Sequence, residues 1–293
     1  MKYQVDKLDG GKLIINRHFQ RCLEFNNIKT AQDLFDLNGV IVKKILAERG
    51  TERVMLKNYK GDGHKDVEMY LKRYAPTPLK EHFKGIASLK KTNFDAFDEW
   101  NSIMAFHEHN LPTMKPVALA SDGKNCCILT LGITDYRKAS VIFEEIKEAE
   151  MNAKNELELE KIKQKKSTLI SQIADYVGRM HAAGMAHQDL YLVHFFVKEQ
   201  ENMQPYLIDL QRCLVRKKVA WRWRVKDLGQ LLFASDDFLS NSDKLFFWEI
   251  YTALAGVKLF KNKRLINAVR SKANKISERD KRKLRAAGKN NNL

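Results

Sequence analysis

A chain of 293 residues with 44% hydrophobic content has enough apolar material for a sizeable core, which excludes wholesale disorder. The formal net charge of +16 is unevenly spread: residues 258–289 hold thirteen Lys/Arg against Glu278 and Asp280, leaving about +5 for the remainder. The four cysteines show no CxxC or Cys/His spacing, which excludes a zinc module and a disulfide scaffold.

A basic tail on a nearly balanced body fits an anionic partner surface (nucleic acid, acidic lipid or a phosphorylated glycan) or simply a solvated helix. The N-terminal MKYQVDKLDGGKL lacks the apolar region of a signal peptide. The longest apolar stretch, 245–260, is broken by Glu249 and Lys258 and is too short to span a bilayer. The expected address is a reducing cytoplasm.

In chain order, residues 1–40 read as mixed, with a helix in TAQDLFDLNG. IVKKILAERG, TERVMLKNY and VEMYLKRY then form three short runs with Gly-containing turns, the pattern of an antiparallel sheet. Phe94, Phe97, Trp100, Ile103 and Met104 recur at helical spacing. Pro112 and Pro116 end that helix, and VALA and CCILTL add two strands, with Cys126 and Cys127 as small core residues. The segment 143–166 mixes seven Glu with six Lys and reads as an exposed, ion-paired helix inserted into the fold. Ser167 looks like the N-cap of a further helix with a stripe of Leu169, Ile173, Tyr176, Val177 and Met180, stopped by Gly184. HQDLYLVHFFV and PYLIDLQRCLV are strand-like, and helices dominate to the end. In RKKVAWRWR, Trp221 and Trp223 alternate with cations, as in a strand with buried aromatics or a sugar-stacking surface.

The layout is therefore α+β. A sheet-rich N-terminal half (1–132) precedes a helical half (133–257) and a basic helical tail (258–293).

The chemistry sits just past the junction. Phosphoryl transfer needs charge neutralisation, Mg²⁺, and a carboxylate that orients the attacking hydroxyl. Protein-kinase-like sites supply these from a strand Lys, a helix Glu, an H-x-D loop and a later Asp. Here the series runs in order: Lys72 in VEMYLKRY, Glu99 in FDEWNSI, Asp189 in HQDLYLVH, Asp209 in YLIDLQR. Asp227 in VKDLGQLLF stands where such folds brace the catalytic loop.

RMHAAGMAHQDLYLVHFFV, YLIDLQRCLVRKK, WRVKDLGQLLFAS and FDEWNSIMAFHEHNLPTMKPVALA resemble the lipopolysaccharide core kinase family, the WaaP-type heptose and Kdo kinases. ERGTERV and YLKRY match more loosely. The resemblance spans about residues 45 to 240 and includes a His, here His194, five residues after the catalytic Asp. It implies a two-lobed protein-kinase-like fold: a small antiparallel-sheet N-lobe with one helix, and a larger helical C-lobe. The implied reaction is transfer of the ATP γ-phosphate, with Mg²⁺, to a heptose or Kdo hydroxyl of the inner core.

In that resemblance Asp189 orients the hydroxyl, and Asp209 binds the metal with Leu210 and Gln211 where Phe and Gly of D-F-G would stand. His194 becomes a second metal or phosphate contact, and His187 a structural residue behind the loop. Lys72 holds the α/β-phosphates, with Glu99 fixing it. Gly50 and Thr51, in a turn between the first two strands, cover the phosphates. One departure stands out: no G-x-G-x-x-G loop is present, and Gly61 and Gly63 fall after the second strand. Phosphate grip then rests on Arg53 or Arg49 as much as on backbone N–H groups.

An anionic acceptor on lipid suits the basic tail. The expectation is a cytoplasmic enzyme, peripheral at the inner face of the inner membrane, with no nucleic-acid partner. Two alternatives stay open: a kinase-fold phosphotransferase for another small-molecule or protein hydroxyl, and a non-catalytic basic module binding membrane or nucleic acid.

Overall fold

The computed structural model describes residues 3–46, 49–57, 66–74, 94–200, 202–257 and 259–290. The chain forms two compact units: Met1–Thr134 with Asp209–Arg212, and Asp135–Ile208 with Cys213–Leu293.

The first unit is built on a seven-stranded sheet. Its strands are β1 (Val5–Leu8), β2 (Leu13–Asn16), β3 (Val40–Leu46), β4 (Arg49–Leu56), β5 (Val67–Tyr74), β6 (Pro116–Ser121) and β7 (Cys126–Leu131). The order is β1-β2-β6-β7-β5-β4-β3, every pairing antiparallel. The three expected strands are β3, β4 and β5, while β1 and β2 extend the sheet from a region that reads as mixed in sequence.

Alternation along β5 sorts its side chains between two faces. Met69 and Leu71 join a buried cluster with Leu13, Ile15, Phe19, Val117 and Leu129. Helices α1 (Gln20–Phe25) and α2 (Ala31–Phe35) close that cluster with Cys22, Leu23 and Leu34. The TAQDLF helix starts where its sequence dictates: Thr30 Oγ1 accepts from Asp33 N at 3.2 Å, and the Asp33 carboxylate accepts from Thr30 N at 2.7 Å. Lys72 and Tyr74 lie on the other face of β5. Helix α3 (Ala96–Glu108) packs against β5, β6 and β7 and buries Glu99, Trp100 and Ile103. Asp95 and Asp98 cap it reciprocally.

The second unit holds a strand trio and a strand pair among its helices. Strand β10 (Phe195–Lys198) pairs with β11 (Gln204–Leu207) on one side and β8 (Arg137–Lys138) on the other, and β9 (Met185–Ala186) pairs with β12 (Leu214–Val215). The helices are α4 (Ala139–Asn152), α5 (Glu156–Ala182), α6 (Trp221–Ser235), α7 (Asn241–Leu254) and α8 (Leu259–Asn290).

Three local expectations need correction. Ser167 does not cap a helix; α5 begins at Glu156, where Asn155 Oδ1 accepts from Glu158 N at 2.9 Å. The Glu/Lys/Leu-rich run before Ser167 has high helix propensity and simply carries the helix through. That charged segment is also fastened to its own unit, since Lys166, with a side chain only 9% exposed, pairs with Glu150 and Asp243, both at 3.1 Å. Next, RKKVAWRWR is not a strand: Trp221 opens α6 and is exposed, while Arg222 and Lys226 flank the Trp223 ring at 4.6 and 5.6 Å. Finally, Gly50 and Thr51 lie within β4, not in a turn before it. Gly61 and Gly63 lie outside the described residues.

The basic tail is helix α8, and it packs on α6 within the second unit. Leu265, Val269, Ala273 and Ile276 form its buried stripe, while the Arg264 guanidinium lies 5.5 Å from the Trp221 ring. A Cβ on Gly229 of α6 would meet Lys272 Cγ at 2.5 Å, so only glycine admits this approach. Lys281, Arg282, Lys283 and Arg285 are exposed. Among the described residues no helix is long and apolar enough to cross a membrane.

Gly184 ends α5 with φ +82°, and a Cβ there would stand 1.8 Å from the Arg216 carbonyl oxygen beside β12. Gly184→Ala is expected to destabilise the chain by about 2–4 kcal/mol, seen as a fall in the denaturation midpoint. Gly123→Ala, at φ +88° but with nothing within 4 Å, should cost only about 1 kcal/mol. Equal losses in the two variants would refute the steric account of Gly184.

Candidate functional site

The first unit assembles three of the expected residues. Lys72 Nζ lies 3.0 Å from Glu99 Oε2 and 2.8 Å from Asp209 Oδ1. Glu99 is buried on α3, so its charge must be met from within the protein. Lys72 meets it, and so does the Tyr74 hydroxyl, which donates to Glu99 Oε2. Burial works strongly against the Lys72 charge, yet Glu99 and Asp209 together hold its ammonium above the usual lysine range. Burial, reinforced by Glu99, pushes the Tyr74 hydroxyl well above the ordinary tyrosine value, so it stays a donor.

Asp209 adopts a left-handed φ of 63°, unusual for a residue with a side chain. The turn that follows, Leu210–Arg212, packs on α3 with Leu210 buried and Arg212 stacked 6.0 Å from the Phe94 ring.

Register places the expected phosphate contacts. Thr51 pairs with Lys72 and Arg53 with Tyr70, and directly opposed residues share a sheet face. Thr51 and Arg53 therefore lie on the face that carries Lys72 and Tyr74. Gly50 pairs with Arg73 on the opposite phase. Arg53 stands 3.6 Å from Glu68.

The second unit carries the HQDLYLVH loop. Asp227 on α6 has no exposure; its Oδ1 accepts from Gln188 N at 2.7 Å and its Oδ2 from His187 N at 2.8 Å. His181 Nε2 lies 3.2 Å from the same carboxylate, and its Nδ1 lies 2.9 Å from the Tyr251 hydroxyl, which also accepts from Arg224 at 2.7 Å. Burial pulls the His181 pKa below the ordinary imidazole value although Asp227 opposes it. The neutral ring then donates from Nε2 to Asp227 and accepts at Nδ1 from Tyr251. The expected bracing role of Asp227 is thus visible as direct bonds.

His187 is buried behind the loop. Its Nε2 donates to the Ile208 carbonyl at 3.0 Å and its Nδ1 accepts from Asp189 N at 3.3 Å. His194 Nδ1 donates to the Asp189 carbonyl at 2.8 Å, which fixes the tautomer and leaves Nε2 as the acceptor nitrogen. Asp189 Oδ1 accepts from Gln230 Nε2 at 3.2 Å. Asp189 and His194 are both half-buried.

Tyr74 and Gln230 escape a motif search, yet both have simple signals. Tyr74 follows Lys72 by two on a strand, and Gln230 follows Asp227 by three on a helix, so each shares a face with an expected residue. His181, Tyr251 and Arg224 have no such signal.

The donor set fits Mg²⁺ and a nucleotide. Asp209 offers a hard carboxylate, Gln211 Oε1 is a buried amide oxygen without a hydrogen-bond partner, and Lys72 is a cation of the kind that grips phosphate. Among the described residues no group of three or more His, Cys, Asp or Glu could hold a metal alone.

A strand lysine paired with a helix glutamate, an antiparallel-sheet lobe and a helical lobe with a braced H-x-D loop define a protein of the protein-kinase-like class. Residues 41–251 match the profile of the lipopolysaccharide kinase (Kdo/WaaP) family. The chain is 30% identical over 267 residues to the lipopolysaccharide core heptose(I) kinase WaaP of Escherichia coli, covering 88% of this chain and 97% of that one. It is 26% identical to the protein of the same name from Pseudomonas aeruginosa, with 88% and 95% covered. A solved structure, WaaP in complex with acyl carrier protein, aligns with a TM-score of 0.64 at 23% identity over 93% of this chain and 98% of that one, and shares the fold. The chain belongs to the lipopolysaccharide kinase (Kdo/WaaP) family and is a kinase.

Tyr74→Phe leaves the buried Glu99 one donor short. The expected result is a loss of about 1–3 kcal/mol in chemical denaturation, together with a raised KM for ATP as Lys72 loses its fixed partner. Unchanged values for both would remove Tyr74 from the site.

Proposed function

We propose that this kinase transfers the γ-phosphate of ATP to a sugar hydroxyl, heptose or Kdo, of the lipopolysaccharide inner core. The observation that carries the reading is Lys72 held by both Glu99 and Asp209, in a chain matching heptose(I) kinases over 88% of its length. Lys72 grips the α/β-phosphates and Glu99 keeps it extended toward them. Thr51 and Arg53, on the Lys72 face of the sheet, add contacts to the phosphate oxygens, with the Gly50 backbone beside them. Asp209 holds Mg²⁺, which when bound neutralises charge on the triphosphate. Asp189 accepts a hydrogen bond from the sugar hydroxyl and aims its oxygen for attack. His194 presents Nε2 to metal or phosphate. Its bond to the Asp189 carbonyl supports a positioning role equally well, and Mg²⁺ favours oxygen donors over imidazole.

The acceptor is a lipid-anchored, anionic sugar, which suits a peripheral enzyme at the inner face of the inner membrane. Helix α8, with its exposed Lys281, Arg282, Lys283 and Arg285, supports this placement. Replacing these four by Ser should weaken co-sedimentation with phosphatidylglycerol-containing vesicles by about 1 kcal/mol per charge, less at high salt. Equal sedimentation of both proteins would remove the membrane from this account.

Transfer of labelled γ-phosphate from Mg-ATP to purified core lipopolysaccharide tests the reaction. Label is expected in a core sugar with wild type, with Asp189→Ala and Asp209→Ala lowering transfer by at least about 10²-fold. ATP turnover without label in the core would discard the acceptor, and full transfer by Asp189→Ala would discard its assigned role.

A further inference from the structure

Gln230 is a buried polar residue, 4% exposed, on α6. Its Oε1 accepts from Leu190 N at 3.2 Å, and its Nε2 donates to Asp189 Oδ1 at 3.2 Å. Asp227, three residues earlier on the same helix, accepts from the N–H groups of His187 and Gln188. One face of α6 therefore bonds four consecutive loop residues, 187 to 190. Three of these bonds hold backbone. The fourth reaches a reactive side chain.

We propose that Gln230 is a positioning residue for phosphoryl transfer, a two-ended clamp that fixes the orientation of the Asp189 carboxylate toward the acceptor hydroxyl. This rests on the reading of Asp189 as the group that orients that hydroxyl. The amide suits the task because it carries a donor and an acceptor on one rigid plane. Turning it over would set two acceptors against each other at Asp189 and two donors at Leu190, so only one orientation satisfies both ends. It is also neutral. A lysine or arginine at this place would restrain the carboxylate equally well but weaken it as a proton acceptor. The backbone end matters as much: Leu190 follows Asp189 directly, so the amide references the carboxylate to its own main chain. Gln188, with φ 66°, turns the loop sharply just before this point.

Steady-state transfer from Mg-ATP to core lipopolysaccharide by the full chain tests the clamp, with thermal unfolding followed on the same samples. Gln230→Met keeps the length and removes both polar ends. Its kcat is expected to fall on the order of 10- to 100-fold, with KM for ATP within about twofold of wild type. Gln230→Glu keeps the shape. Protonated, it donates to Asp189 and accepts from Leu190; ionised, it repels Asp189 and no longer donates to it. Its activity should approach wild type at low pH and fall as pH rises, adding a descending limb that wild type lacks. A purely structural role would lower the unfolding temperature without adding that limb. If Gln230→Met fails to fold, the Gln230→Glu profile decides.

Wild-type kcat in Gln230→Met, or a wild-type pH profile in Gln230→Glu, overturns the clamp. Asp189→Ala separates this from the underlying reading. If it is inactive while Gln230→Met is unimpaired, only the clamp fails; if it turns over normally, both fail. ATP hydrolysis by the same variants gives the same comparison should core lipopolysaccharide accept no phosphate from wild type.

Discussion

Removing an ionised carboxylate from water costs several kcal/mol unless donors surround it, and Asp227 is wholly removed from water. Its donors are the backbone N–H groups of His187 and Gln188 and the ring of His181. The demand of one buried charge thus decides the path of the loop. It offsets the left-handed backbone at Gln188, a conformation that costs an L-residue roughly 1–2 kcal/mol. It also fixes where Asp189 leaves the main chain. Behind His181, Tyr251 and Arg224 extend the chain of polar contacts to α7 and keep every member satisfied.

The N-terminal lobe solves a related problem differently. There the buried carboxylate is Glu99, and it is neutralised by the ammonium of Lys72, together with the phenol of Tyr74. Because Lys72 also reaches Asp209, one cation serves two carboxylates, and the set retains a negative excess. Such a set attracts a further cation while keeping its lysine charged. Asp209 itself holds a left-handed backbone, with φ 63°.

Much of this was legible in the sequence, for reasons that can be named. The alternation of VEMYLKRY and the spacing of Trp100 and Ile103 report burial directly, so β5 and α3 stand where expected, although Phe94 falls ahead of the helix and Phe97 is exposed. The order of Lys72, Glu99, Asp189 and Asp209 along the chain is a pattern in itself, and the structure joins Lys72 to Glu99 and Asp209. Errors arose where a local signal has two meanings. Ser167 resembles a cap, but the Glu/Lys-rich stretch before it is helical on propensity alone. Trp221 and Trp223 alternate as in a strand, yet they open a helix whose ring contacts are made by flanking cations. Gly50 suggests a turn, but cross-strand pairing absorbs it into β4. The network through His181 and Tyr251 joins residues 70 apart, and no short-range pattern encodes such a bond.

The packing of α8 on α6 has a mechanical meaning. Leu265, Val269, Ala273 and Ile276, the Gly229 notch and the Arg264–Trp221 contact bolt a highly charged helix to the one that bears Asp227 and Gln230. The second unit therefore has a load path: a pull or tilt applied to the charged helix is delivered to the beam from which residues 187–190 are hung. Two helical turns separate the anchorage at Trp221 from the grip at Asp227 and Gln230, about 9–14 Å of stiff rod at 1.5 Å per residue.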